Sequence, residues 1–174
     1  MKTRSASAMR FATLAMGAAT TLSLASGLVA AAADYPAVTY ERLTSAQSDP
    51  GWLTYYRTYN GQSHSPLTQI DATNVKGLKQ AWSFKFPAEL QQGFEATPIV
   101  NGRFMFVTTP KDNVYAFDAT TGKLLWKFEP KLGPEAFKNA CCDVVNRGVA
   151  LYGKNVYVAM LSGEVVALDA QTGA

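Results

Sequence analysis

A repeat with a period of 51 residues constrains the fold of this chain more than any other feature. Residues 102–122 align without a gap with residues 153–173. Eight of the 21 aligned positions are identical, among them Asp118 with its partner Asp169 and a Thr-Gly pair that ends each copy. A fixed period near 50 residues indicates a propeller or another array of repeated units rather than a single compact unit.

Short strands account for most of both copies. The segments "FMFVTT" and "NVYAFD" in the first copy, and "NVYVAM" and "EVVALD" in the second, are rich in aromatic and β-branched residues. Gly, Asp, Asn and Thr-Gly separate these segments as turns. "KLLWKFE" adds a third strand to the first copy, and no long stretch after the N-terminal leader shows helical periodicity. The sequence therefore predicts an all-β fold.

The turn that closes the first copy carries a more specific motif. "AFDATTGKLLW", residues 116–126, places Ala, Asp, Thr-Gly-Lys and Trp at intervals that resemble the tryptophan-docking motif of quinoprotein dehydrogenase propellers. The resemblance implies that an indole from each blade packs against the neighbouring blade, where burial of so large a ring stabilises the array. An ordinary buried Trp after a turn would explain one copy but not the repetition.

The repeat predicts about three blades or parts of blades. The second copy, "ALDAQTGA", stops at Ala174, and its Trp is expected at the third position beyond. An earlier unit of looser spacing contains Asp71 and Trp82. Three units cannot close a ring, and repeat arrays need their neighbours to bury a core. We therefore expect residues 34–174 to be the N-terminal part of a longer propeller, interrupted within a blade.

The N-terminus has the pattern of an export signal. Three basic residues precede an uncharged run of 23 residues, which ends at Ala33 in a stretch of small residues. A membrane anchor is the alternative, since a run of that length could span a bilayer. We expect residues 1–33 to be a signal peptide, cleaved near Ala33, and the mature protein to be periplasmic.

Charge gives no indication of a polyanionic partner. The chain has 16 Lys and Arg against 13 Asp and Glu. Three of the basic residues lie in the leader, so that 13 remain against 13 acids and the mature chain is formally neutral. We therefore expect neither nucleic acid nor an anionic membrane surface as a partner.

The two cysteines of the chain, Cys141 and Cys142, are neighbours in "NACCDVVNRG". In an exported protein they can form a disulfide, although adjacent α-carbons lie about 3.8 Å apart, below the usual span of such a bond. A disulfide between neighbours encloses no loop and adds little global stability. Its use would be local, as a rigid platform for a flat ligand. Two free thiols in a propeller turn are the alternative.

Three segments in order resemble a known family. "ACCDVVNRGVA", residues 140–150, resembles the segment around the vicinal disulfide in methanol and ethanol dehydrogenases that use pyrroloquinoline quinone (PQQ). "GFEATPIVNG", residues 93–102, resembles a second segment of these enzymes, and residues 56–82 resemble their N-terminal entry into the propeller. The resemblance begins near residue 38 and implies an eight-bladed β-propeller, of which this chain is roughly the first quarter.

The resemblance also implies which residues contact the cofactor. A disulfide between Cys141 and Cys142 would lie against one face of the quinone. Arg147 matches an arginine that binds a cofactor carboxylate, for which its planar guanidinium is suited. Glu95 matches a glutamate at the polar edge of the cofactor, where it would accept from protonated groups or neighbouring arginines, or be neutral itself. His64, the only histidine, is expected to be exposed.

The resemblance assigns the rest of the active site to later blades. The metal ion (calcium or, in some members, a lanthanide), an aspartate base and a tryptophan below the quinone belong there, so no catalytic residue or metal ligand is matched in this chain. The implied activity is oxidation of alcohols to aldehydes, with electrons passed to a cytochrome c. A membrane would be involved only through electron-transfer partners, and the full-length enzyme could form a homodimer. We expect the chain alone to be inactive. A non-catalytic propeller scaffold of the outer-membrane assembly type is the alternative.

Overall fold

A computed structural model of the chain describes residues 34–87, 93–138, 140 and 143–174. The expected signal peptide, residues 1–33, lies outside the described residues, and so do Cys141 and Cys142. Within the described ranges, no helix is long and apolar enough to cross a membrane.

Two antiparallel sheets form the framework of residues 93–174. The strands are β1 (Ile99–Asn101), β2 (Phe104–Thr109), β3 (Asn113–Asp118), β4 (Leu124–Phe128), β5 (Ala150–Tyr152), β6 (Asn155–Ala159) and β7 (Val165–Asp169). The first sheet has the order β1-β2-β3-β4 and the second the order β5-β6-β7. Within each sheet, every strand pairs with the strands next to it in sequence, which is the connectivity of a propeller blade.

The strand positions confirm the repeat. Strands β5, β6 and β7 occupy the positions of β1, β2 and β3 displaced by the same period. The sequence predicted β2, β3, β4, β6 and β7, with ends that differ by at most one residue from those observed. It did not predict β1 and β5, because a strand of three residues is too short to show alternation.

The all-β prediction is confirmed, with short helical turns as the departures. Two α-helical turns, α1 (Tyr40–Thr44) and α2 (Pro134–Lys138), and two 3₁₀ turns, Val75–Gly77 and Pro110–Asp112, lie in the described part of the chain. The Thr39 side chain caps α1 by accepting a hydrogen bond from the Arg42 N–H at 3.3 Å. None of these turns has the length needed to show helical periodicity in sequence.

The main core joins the two sheets. Successive side chains of a strand point to opposite faces, and Val114 and Ala116 of β3 share one buried cluster with Val156 and Val158 of β6. All four are fully buried. Each fully buried valine contributes roughly 1.5–3 kcal/mol relative to an exposed one, so this contact fixes the position of the second blade against the first.

The opposite face of the first sheet is covered by an aromatic segment. Tyr115 and Phe117 of β3 pack there against Phe84 and Phe86, with ring centroids 4.8 Å apart for Phe84–Phe117 and 5.0 Å apart for Phe86–Tyr115. The earlier unit of the repeat, residues 71–87, contains a 3₁₀ turn but no strand in this structure. It contributes alternate aromatic side chains, and the count of about three blades stays a prediction.

Both expected tryptophans dock on a neighbouring turn. The indole N–H of Trp82 donates to the carbonyl oxygen of Ala119 at 3.0 Å, and that of Trp126 donates to Ala170 at 3.0 Å. Ala119 and Ala170 are equivalent positions of the repeat. Each indole therefore packs against the turn of the unit that follows, as the resemblance implied.

A glycine in each turn makes room for the indole. Gly122 has φ +71° and Gly173 has φ +79°, in the left-handed region that glycine adopts most easily. A Cβ atom on Gly122 would lie 2.5 Å from the Trp82 ring, and one on Gly173 would lie 2.8 Å from the Trp126 ring. The glycine of the Thr-Gly pair is thus required by the docking itself.

Candidate cofactor site

Two loops lie side by side at one end of the sheets. Residues 93–98 lead into β1, and residues 143–149 lead into β5. A Cβ on Gly93 would lie 3.2 Å from the Val145 side chain, and one on Gly148 would lie 3.8 Å from the carbonyl oxygen of Thr97. The two segments that resemble a PQQ site are therefore neighbours in space.

An ion pair joins the two loops. The Nη2 atom of Arg147 lies 2.9 Å from the Oε2 atom of Glu95. The side chains are 61% and 45% exposed respectively, so the pair remains open to a ligand. An exposed pair of this kind adds little to stability. The structure brings both residues together, and their roles as cofactor ligands stay predictions.

The paired cysteines directly precede Asp143 in the sequence but lie outside the described residues. Asp143, next to them in sequence, has φ +64°, and its side chain accepts from the Val144 N–H at 2.8 Å. The Val144 carbonyl accepts in turn from the Lys111 N–H at 2.8 Å. The segment that follows Cys142 is thus anchored to the turn between β2 and β3. The disulfide stays a prediction.

A buried polar network lies beneath this loop. Asp112 is 1% exposed, and its two carboxylate oxygens accept from the Asn146 side-chain amide at 2.8 Å and from the Leu161 N–H at 2.6 Å. Asn146 is 8% exposed, donates also to the Ala159 carbonyl at 3.1 Å and accepts from the Gly148 N–H at 3.0 Å. Buried polar groups are costly unless hydrogen-bonded, and here they are well satisfied.

Sequence reasoning did not assign Asp112 to the site. One signal could have found Asp112: the position that aligns with it in the second copy is Gly163. Asp112 has φ +60° and Gly163 has φ +86°. A residue with a Cβ atom in place of glycine at positive φ indicates that its side chain has a use there.

An open depression of about 560 Å³ adjoins the loop that carries Arg147. Its wall is formed by Tyr55, Asp112, Val165, residues 145–150 and residues of β6 and of the turn after it. In the described part of the chain, no group of three or more His, Cys, Asp or Glu residues could hold a metal ion. His64 is exposed, as expected.

Residues 52–174 match the model of the PQQ family, described as the glucose/ethanol/alcohol dehydrogenase β-propeller domain. The match covers more than half of the chain, and the two blades with docked tryptophans agree with it. The chain therefore belongs to this family of quinoprotein β-propellers. The predicted family and the predicted β-propeller fold are both confirmed.

Three proteins illustrate the similarity. Quinohemoprotein alcohol dehydrogenase ADH-IIG of Pseudomonas putida is 47% identical over 91% of the chain, which covers 22% of that protein. Its solved structure aligns with a TM-score of 0.75 at 45% identity, over 81% of this chain and 21% of the other. A 1-butanol dehydrogenase (cytochrome c) of Thauera butanivorans is 45% identical over 75% of the chain and 18% of its own length.

A europium-containing methanol dehydrogenase aligns with a TM-score of 0.67 at 34% identity, over 76% of this chain and 23% of the other. The chain thus spans about a fifth of the length of the proteins it matches.

Proposed function

We propose that this chain is the N-terminal part of a periplasmic quinoprotein that oxidises alcohols to aldehydes with PQQ and a metal ion, and that passes the electrons to a cytochrome c. The observation that carries the proposal is the ion pair between Glu95 and Arg147, which joins two loops that each resemble a cofactor segment of the family. The names of the relatives, a quinohemoprotein alcohol dehydrogenase and a cytochrome c-linked butanol dehydrogenase, support it.

Arg147 fits the carboxylate-bearing edge of the cofactor. PQQ is a flat tricyclic ortho-quinone with three carboxylates, so its site needs flat surfaces and cations. A guanidinium presents five N–H donors in a planar fork, and the contact with Glu95 joins a single terminal nitrogen to one carboxylate oxygen. Arg147 would therefore bind a cofactor carboxylate without releasing Glu95.

Glu95 would orient the guanidinium of Arg147. An ion pair at one nitrogen restricts a long and otherwise flexible side chain. The negative charge of Glu95 would repel a tricarboxylate, but the neighbouring arginine compensates for it at 2.9 Å. The pair thus presents the cofactor with donors rather than with an isolated acid.

Cys141 and Cys142 would form the disulfide platform under one face of the ring. They precede Arg147 in the same loop, so one segment of chain would contact both the face and the edge of the cofactor. When bound, the quinone would supply the oxidising capacity by accepting two electrons from the alcohol. The contribution of this chain would be to bind the cofactor and to fix its orientation.

The other parts of the enzyme would lie beyond Ala174. These are the aspartate base, the ligands of the calcium or lanthanide ion and most of the substrate pocket. The europium-containing methanol dehydrogenase supports a lanthanide as one of the two choices. We therefore expect the 174-residue chain not to oxidise alcohols by itself. Residues 1–33 would direct export, and the full-length enzyme could form a homodimer.

The test compares two arginine variants in the full-length protein. Arg147→Ala removes the proposed carboxylate contact. Arg103→Ala is the matched control, because Arg103 is similarly exposed, at 56%, and also pairs with an acid, Asp118, but at the far end of β2. Titration of the apoprotein with PQQ should show binding that Arg147→Ala weakens about tenfold or more, the size of a charged hydrogen bond, and that Arg103→Ala leaves unchanged.

Two outcomes would contradict the proposal at different points. A full-length wild type that does not bind PQQ would overturn the function and favour a scaffold propeller. A wild type that binds, with equal losses in Arg147→Ala and Arg103→Ala, would remove Arg147 from the site and leave the function in place.

A further inference from the structure

The two blades differ at the turn next to the candidate site. In the repeat, Asp112 aligns with Gly163, and both have positive φ, +60° and +86°. Glycine adopts this conformation without a steric penalty, whereas a residue with a Cβ atom does not. Lys111, the residue before Asp112, also has positive φ, at +64°. The first blade therefore holds an unfavourable backbone conformation where the second blade avoids one.

The side chain of Asp112 gives a reason for this conformation. Its carboxylate is buried and bonded through both oxygens, to the Asn146 amide at 2.8 Å and to the Leu161 N–H at 2.6 Å. Asn146 belongs to the loop before β5, and Leu161 belongs to the turn between β6 and β7. One carboxylate thus connects the first blade to two segments of the second.

Asn146 transmits this connection to the main chain around Arg147. The Asn146 side chain accepts from the N–H of Gly148 at 3.0 Å. The backbone carbonyl oxygen of Asn146 accepts from the Thr108 hydroxyl at 3.2 Å. The residues on both sides of Arg147 are therefore fixed, while the arginine side chain is 61% exposed. Such an arrangement holds a binding group by its backbone and leaves the side chain free for a ligand.

We infer that Asp112 is a positioning residue of the cofactor site, which acts through Asn146 to hold Arg147 where it meets a carboxylate of the quinone. This inference rests on the proposed function. Asp112 borders the depression beside the loop but is only 1% exposed, so we assign it an effect through Asn146 rather than a direct contact with the cofactor. Residues that orient a ligand-binding group through hydrogen bonds commonly change affinity when they are removed.

Asp118 shows what a purely structural carboxylate looks like in the same hairpin. It lies at the other end of β3, is also buried, and accepts from the N–H groups of Thr120 and Thr121 within its own turn. Among the described residues, its side chain accepts otherwise from Arg103 and not from the loop that carries Arg147. Asp118→Asn is therefore the control for general damage to the hairpin.

The decisive variant is Asp112→Gly. It gives the first blade the residue of the second at this position, so it relieves the backbone while it removes the carboxylate. Asp112→Asn keeps the size of the side chain, but the NH₂ group of the new amide would face one of the two N–H donors, Asn146 or Leu161, and could not accept from it. Both variants are made in the full-length protein, and the apoproteins are titrated with PQQ and melted.

If Asp112 positions Arg147, Asp112→Gly and Asp112→Asn raise the dissociation constant of PQQ about tenfold or more. Asp118→Asn lowers the melting temperature but leaves that dissociation constant within about twofold of wild type, because distant sites are independent. In an Arg147→Ala background, Asp112→Gly should weaken binding by no more than about twofold, since the group through which it acts is absent.

The failures are distinguishable. If wild type binds PQQ and both Asp112 variants bind equally well, the inference is wrong and the proposed function stands. Additive losses in the Asp112→Gly/Arg147→Ala double variant would also overturn it, because they would show that Asp112 acts independently of Arg147. A wild type without affinity for PQQ would overturn the proposed function and this inference together.

Discussion

The two ends of the blades differ in how closely the repeat is kept. At the end where the tryptophans dock, Asp118 and Asp169 each accept two backbone N–H groups of the following turn, and a glycine lies under an indole in each blade. At the other end, the first blade has Asp112 where the second has Gly163. The two blades therefore share the features of the docking end, whereas they differ at the loop end.

The difference separates the scaffold from the site. Every blade has to contact its neighbour in the same way, so the turn that receives an indole recurs with four of its five residues unchanged. The loops at the other end have no such common contact to make. They hold the pair of Glu95 and Arg147, and Asp112 belongs to this end. Departures from the repeat are thus informative about function, and agreements with it are informative about assembly.

Replacement of a docked tryptophan should have the largest effect on stability. Trp126 is buried, whereas Trp82 makes the same hydrogen bond but is only half-buried. Trp126→Ala should lower the free energy of unfolding by about 3–5 kcal/mol, and Trp82→Ala by less, because less apolar area is lost. Denaturant titration of the full-length protein measures both. Trp126→Phe, the control, should lose about 1 kcal/mol with the hydrogen bond. Equal losses for the two alanine variants would show that burial does not set the docking energy.

The glycines under the indoles should give the next largest effect. Gly122→Ala and Gly173→Ala combine strain at positive φ with an overlap against the indole, and the overlap costs about 1–3 kcal/mol. Gly153→Ala is the matched control, because Gly153 has φ +59° but nothing within 4 Å of its would-be Cβ. It should cost only the strain, roughly 1–2 kcal/mol. Thermal unfolding of the three variants separates the cost of backbone strain from the cost of overlap with the indole. A Gly153→Ala variant as strongly destabilised as the other two would contradict the docking explanation.

Acid should weaken the docking end through its two aspartates. Burial raises the pKa of Asp118, but hydrogen bonds from the Thr121 N–H, from Arg103 and from the Thr120 N–H outweigh it and hold that pKa below its usual value. The Thr172 hydroxyl, followed by the backbone N–H of Thr172, lowers the pKa of Asp169.

A carboxylate with a lowered pKa stabilises the fold at a pH above its unfolded pKa, about 3.9 for Asp. That contribution is lost as the pH falls through the folded pKa. Melting temperature should therefore drop between neutral pH and pH about 3, and the drop should be smaller in an Asp118→Asn/Asp169→Asn double variant. Parallel pH profiles for wild type and double variant would show that these carboxylates do not carry the acid sensitivity.

Local chemistry explains how much of the fold could be predicted. Strands β2 and β3 have the bounds that their aromatic and β-branched residues predicted, since a six-residue run of such residues between turn residues is enough to reveal a strand. The conformation of the segment with Trp82 was more difficult to predict from its sequence. Its alternate aromatic residues resemble a strand, yet it forms none and packs on β3 through Phe84 and Phe86. Packing against the first sheet, rather than its own propensity, determines its conformation.

The residues of the candidate site also divide into those that the sequence predicted and those that it did not. Glu95 and Arg147 could be assigned from motifs, because each stands in a segment that resembles the family. Neither segment by itself shows that the two side chains meet. Asp112 could not be assigned from a motif, since a lone acid in a turn is ordinary. Its contact with Asn146 spans 34 residues of sequence and crosses from one blade to the next.

The sequence by itself determined the repeat, the strands and the turns that receive the indoles, because these depend on residue spacing and on the few residues that tolerate positive φ. The tertiary structure alone decided which loop meets which. The ion pair of Glu95 with Arg147 and the bond of Asp112 to Asn146 exist because buried valines and a docked tryptophan hold the second blade against the first. Contacts between distant segments follow from that packing, which no local pattern encodes.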